Sequence, residues 1–118
     1  ERFPNRTDFT DARAIDLAAG AGDADARAIL DTAAVYNAAG IASMIQLYVP
    51  DAIIFGGGQC REDGYLYRRT LEEIRNILPR ERLENIKVSI TTLGKYQSAL
   101  GAARLAYEKF FGETKKEK

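Results

Sequence analysis

The residues best placed to do chemistry are three consecutive glycines, Gly56, Gly57 and Gly58, with Gln59 beside them. They close the apolar run Ala52-Ile53-Ile54-Phe55 and precede an amphipathic, helix-patterned segment. Three residues without a Cβ, placed where a strand hands over to a helix, let a ligand lie against bare backbone N–H groups. The chemistry this favours is phosphate recognition, with a nucleotide as the expected ligand. A tight strand-to-helix turn also uses glycine for steric relief alone, so an isolated run leaves both readings open.

Other reactive side chains are few. The 118-residue chain has no histidine and one cysteine, Cys60. An intrachain disulfide is therefore impossible, a Cys-based zinc site cannot be built, and acid–base work would fall to carboxylates, lysines or tyrosines. Cys60, Tyr65 and Tyr67 flank the glycines and are better read as packing residues than as ligand contacts. Glu62 and Asp63 complement the start of the following helix, and Asp23 and Asp51 read as a cap and a turn residue. Arg68, Arg69, Glu72, Glu73 and Arg75 read as a solvated face with helix-spaced pairs.

The elements that must position the glycines follow from periodicity. A short helix is expected over 10–19, with Thr10 or Asp8 as N-cap and Gly20 as its stop. A long, largely buried helix follows over 24–49, capped by Asp23, carrying Ile29, Ala33, Tyr36, Gly40, Met44 and Leu47 inward, and ended by Pro50. The continuous apolar character of 52–55 predicts a parallel-type strand covered on both faces. A third helix over 65–78 turns Leu66, Leu71, Ile74, Ile77 and Leu78 inward. An alternating, β-branched strand occupies 86–92. A fourth helix over 97–111 buries Leu100, Ala103, Ala106, Tyr107 and Phe110. The order is α-α-β-α-β-α in one α/β domain.

Composition bounds what this domain can be. With 46% apolar and 29% charged residues the chain has a globular balance, and its zero formal charge gives no overall field favouring nucleic acid or an acidic membrane. No stretch reads as long and charge-free enough to span a bilayer, the N-terminus lacks a signal-peptide pattern, and a cytoplasmic setting is expected. The basic end Lys115-Lys116-Glu117-Lys118 reads as solvated. Two strands make a marginal sheet, so a fragment of a longer fold is expected, and its apolar helices predict an oligomer of identical chains.

Four segments occur in an order that resembles the C-terminal third of the ROK family of sugar kinases and sugar-responsive repressors. They are Asp23-Ala24-Asp25-Ala26; the Ala-rich helix ending Leu47-Tyr48-Val49-Pro50-Asp51; Ala52-Ile53-Ile54-Phe55-Gly56-Gly57-Gly58; and Leu93-Gly94 followed by Leu100-Gly101-Ala102-Ala103. The resemblance implies a partial actin-like, ribonuclease H-like ATPase domain. In it ATP with Mg²⁺ lies near the backbone of Gly56, Gly57 and Gly58. It also implies that the catalytic Asp, the phosphate motif and the zinc motif of the family lie upstream, so no catalytic or metal-binding residue is expected in this chain. Where relatives carry two acids and an alanine after Leu-Gly, this sequence has Lys95-Tyr96-Gln97. The implied function is the nucleotide-binding portion of an ATP-dependent glucose or hexose kinase, not catalytic alone, with the sugar bound only together with upstream residues. Two other readings are the effector-binding part of a repressor, the one case that involves nucleic acid, and a non-catalytic self-association module.

Overall fold

The computed structural model describes residues 7–58 and 60–112, with Lys95 described by its backbone alone. Gln59 and the basic end Lys115–Lys118 lie outside the described residues. The elements run α1 (Ala12–Ala21), α2 (Ala24–Tyr48), β1 (Ala52–Phe55), α3 (Tyr65–Ile77), a single-turn α4 (Arg80–Leu83), β2 (Lys87–Ile90), a 3-10 turn (Gly94–Tyr96) and α5 (Gln97–Phe111). The sheet has two parallel strands in register, Ala52 beside Lys87 and Phe55 beside Ile90.

Small residues on α2 decide how the helices meet. Its buried positions are Ala26, Leu30, Ala34, Ala38, Ala42 and Ile45. Steps of four overshoot a helical turn by about 40° each, so this stripe winds around the axis. The early part faces α1, where Ala19, Ala26 and Leu30 gather Phe9, Ile15, Tyr65 and Leu66. The later part faces α3 and the sheet, where Ala38, Ala42 and Ile45 meet Ile74 and Leu78 with Ile53 and Phe55 against them. Alanine lets the helix axes approach closely and costs no side-chain entropy.

Local chemistry fixes the junctions. Asp11 caps α1 by accepting from Ala14 N at 2.7 Å, and Asp23 caps α2 through Ala26 N at 2.9 Å. The helix expected over 10–19 therefore lies two residues later. Its stop is Gly22 rather than Gly20, because the left-handed residue is Gly22, at φ 103°, while Gly20 stays helical. The N–H groups of Gly22 and Asp23 close on Ala19 O and Ala18 O, and Arg27 Nε adds a bond to Ala19 O at 2.9 Å. Val49, ahead of Pro50, ends α2 in the left-handed region at φ 45°, an uncommon place for a β-branched residue.

The structure corrects several burial expectations. On α2, Tyr36, Met44 and Leu47 are exposed, because this helix is apolar on most sides and periodicity alone cannot choose the buried one. From Thr32 to Val49 it carries no charge. Among the described residues α2 is the one helix long and apolar enough to cross a membrane by length and composition, which revises the sequence reading; its alanine stripe is packed against α1 and α3. On α3, Ile77 is exposed and Thr70 is buried instead. One face of β1 packs on the helices, whereas Ile54 on the other is 68% exposed. The strand expected over 86–92 shortens to Lys87–Ile90. No residue of α5 is buried, so Leu100, Tyr107 and Phe110 lie on its surface. The radius of gyration, 18.4 Å, exceeds the roughly 13 Å of a compact chain this long.

Candidate functional site

Both parallel strands deliver their carboxyl ends to the same place, which is where open α/β sheets bind ligands. Thr91 N donates to Phe55 O at 2.8 Å, so the chain leaving β2 runs beside Gly56 as it leaves β1. Gly57 then takes φ 108°, a conformation only glycine adopts without strain, and turns the backbone outward. Cys60 holds the turn from beneath: its N–H bonds to Gly57 O at 3.1 Å and its Sγ donates to Gly56 O at 3.1 Å. Partial burial pushes the Cys60 thiol pKa up, which keeps it a thiol and a packing group rather than a nucleophile.

The three glycines differ in what surrounds them. A Cβ on Gly57 or Gly58 would meet nothing within 4 Å, whereas a Cβ on Gly56 would stand 2.7 Å from Cδ of Gln97. Among the described residues, the N–H groups of Gly56, Gly57 and Gly58 donate to no backbone carbonyl outside the regular elements. The turn therefore offers polar donors, two of them with open space beside them. A hollow of about 250 Å³ adjoins it, lined by Asn37, Ile41, Phe55, Cys60, Tyr67 and Thr70. A larger hollow of about 530 Å³ contains none of the glycines; it is walled by core side chains such as Ile45, Ile53 and Ile74 and reaches α4 at Leu83.

The start of α3 is not the anion site that the sequence pattern pointed to. The glycines do not open the helix directly, since α3 begins at Tyr65 after Gly64, which has no side chain to cap it. A carboxylate from another helix does so: buried Asp16 of α1 accepts from Leu66 N at 2.8 Å. The helix start thus already holds a negative charge, and loop N–H groups are left as the donors for a ligand. Gly64 is constrained by the same contact, because a Cβ there would lie 3.1 Å from Asp16 Oδ2.

The remaining candidates are structural. Tyr65 Oη donates to Asp31 at 3.0 Å and its ring lies under Arg27, while Tyr67 meets Phe55 edge to face at 5.2 Å. Burial raises the pKa of both tyrosines, helped at Tyr65 by the bond to Asp31 and at Tyr67 by the charge of Glu62. Asp63 is held by Arg61 through two bonds of 3.0 and 2.8 Å, a pairing that lowers its pKa, first through the hydrogen bond. Asp51 opens the strand ladder by accepting from Lys87 N. The charged face of α3 is partly solvated as expected, but Arg69 also ties α3 to α2 through Asp31 at 3.0 Å while pairing with Glu72 and Glu73.

Sequence reasoning did not assign Asp16, Asp31 or Gln97 to these contacts. Asp16 had a detectable signal, an acid set among Ile15, Leu17, Ala18 and Ala19. Gln97 stood in the departure Lys95-Tyr96-Gln97, but only the fold puts it against Gly56.

Two parallel strands joined through a helix, with a glycine turn at their carboxyl ends, place the chain in the α/β class. Comparison with known families makes this specific: the ROK family matches residues 2–109 of the 118, and the chain belongs to that family. It is a family of sugar kinases and sugar-responsive repressors with an actin-like ATPase fold, and a mixed helical structure with two parallel strands is compatible with part of that fold. No curated protein and no solved structure matches the chain.

Proposed function

We propose that this chain is the nucleotide-binding portion of an ATP-dependent sugar kinase of the ROK type, with glucose or a related hexose as acceptor. The glycine turn is one wall of the nucleotide site, and the chain is not catalytic alone. The observation that carries this reading is the pair Gly57 and Gly58 at the carboxyl ends of both strands: among the described residues their N–H groups donate to no backbone carbonyl outside the regular elements, and a Cβ on either would meet nothing within 4 Å. Such donors suit a phosphate, and phosphoryl transfer depends on positioning and charge stabilisation more than on covalent chemistry. ATP with Mg²⁺ supplies the transferable group; these residues hold and orient it. In the complete kinase, acid–base chemistry and sugar contacts come from other residues. The protein works in the cytoplasm as an oligomer of identical chains, a reading favoured by the exposed apolar side chains of α5.

Calorimetric titration with Mg·ADP tests the reading, using Gly58→Ala as the comparison. A Cβ on Gly58 would meet nothing within 4 Å and its φ is not positive, so a methyl group there is tolerated by the fold and occupies space on the open side of the turn. The expected result is saturable heat with the unmodified chain and severalfold weaker binding with Gly58→Ala, at unchanged thermal stability. Absence of heat, or equal affinity in both proteins, overturns the proposal and favours the repressor or self-association readings.

A further inference from the structure

Gln97, the first residue of α5, places its side chain in the space that only a glycine at position 56 leaves free. A Cβ on Gly56 would stand 2.5 Å from Nε2 and 2.7 Å from Cδ of Gln97, closer than any real contact. The carboxamide therefore lies directly against the Gly56 backbone, half-buried. Among the described residues this group of two donors and an acceptor has no hydrogen-bond partner. Gly57 and Gly58, one and two residues on, have nothing over them.

We propose that Gln97 is a specificity-determining cover over the nucleotide site: it screens Gly56 and confines an incoming phosphate to the N–H groups of Gly57 and Gly58. This rests on the nucleotide reading given above and adds the residue that limits it. Any ligand reaching all three glycines must displace a carboxamide wedged on backbone. A shorter side chain at position 97 therefore widens the site and strengthens binding, the opposite of what removal of a direct ligand contact does.

The full chain, labelled with ¹⁵N, is titrated with Mg·ADP as wild type and as Gln97→Ala while the amide signals of the three glycines are followed. In the wild type, Gly57 and Gly58 are expected to shift and Gly56 to stay nearly still; in Gln97→Ala, Gly56 joins them and the affinity rises severalfold. Equal shifts at all three glycines in the wild type, or unchanged or weaker binding in Gln97→Ala, overturn the cover while leaving the nucleotide reading intact. No glycine shift in either protein up to millimolar Mg·ADP refutes both. Gly56→Ala tests the contact without ligand. The added methyl should move the side-chain amide signals of Gln97 while leaving the unfolding midpoint nearly unchanged, because only the end of a flexible side chain has to give way; unmoved Gln97 side-chain signals also overturn the cover.

Discussion

The three-helix layer and the region beyond it satisfy their residues in opposite ways. In α1, α2 and α3, helix ends are capped, alanines are buried between the helices, and charges cross between helices through Asp16, Asp31 and Arg69. Across the sheet, Ile54 is exposed and β1 has β2 on one edge with no other strand partner among the described residues. Beyond it, α5 shows Leu105 at 69% and Phe110 at 74% exposure. The first region has a buried core of its own, although the outer side of α2 still shows Tyr36 and Leu47; the helix of the second region has no buried residue at all. The glycine turn sits at the boundary, held by Cys60 on one side and met by Gln97 of α5 on the other.

Substitutions that separate the two regions sharpen this contrast. The largest effect is expected for Ala38→Leu, which forces three carbons into a position with no exposed surface and costs about 3 kcal/mol, read from urea midpoints. Asp16→Ala is expected to cost about 2 kcal/mol, because it strips a buried cap from Leu66 N and has no local substitute at Gly64. Tyr65→Phe should cost about 1 kcal/mol near neutral pH. Its pH dependence has a definite sign. Burial first, then the bond to Asp31, raises the folded pKa above the ordinary value of 10.0, so the folded state keeps the proton more tightly. That contribution is complete below the unfolded pKa and lost as pH rises through the folded one, so stability falls above about pH 10. Tyr67 shifts the same way, and Tyr65→Phe should therefore reduce the alkaline loss without abolishing it. The smallest effect is expected on α5: Leu105→Gln removes an exposed apolar group and should change stability by less than about 0.5 kcal/mol in dilute solution.

What the sequence made legible follows the same division. Asp23 as a cap, the strand at Ala52–Phe55 and the segment reaching from Tyr65 are local matters of capping, β-branching and amphipathic spacing, and they stand in the structure. Choosing the buried side of α2 was not local: alanine, methionine and tyrosine surround its axis, and only the partners α1 and α3 select Ala34 and Ala38 over Tyr36 and Met44. Likewise the apolar stripe of α5 was readable as a stripe, but periodicity says nothing about whether another surface meets it. At the candidate site, the glycines were visible as a run, while the trans-cap by Asp16 joins residues 50 positions apart and the cover by Gln97 depends on two strands ending together.

Amide hydrogen exchange at two chain concentrations tests the contrast most directly. Slow exchange is expected for α2 from Ala34 to Ile45 and for α3 from Thr70 to Ile74 at both concentrations. Fast exchange is expected for α5 in dilute solution, slowing as the concentration rises and its apolar face is covered. Protection of α5 equal to that of α2 in dilute solution would contradict it.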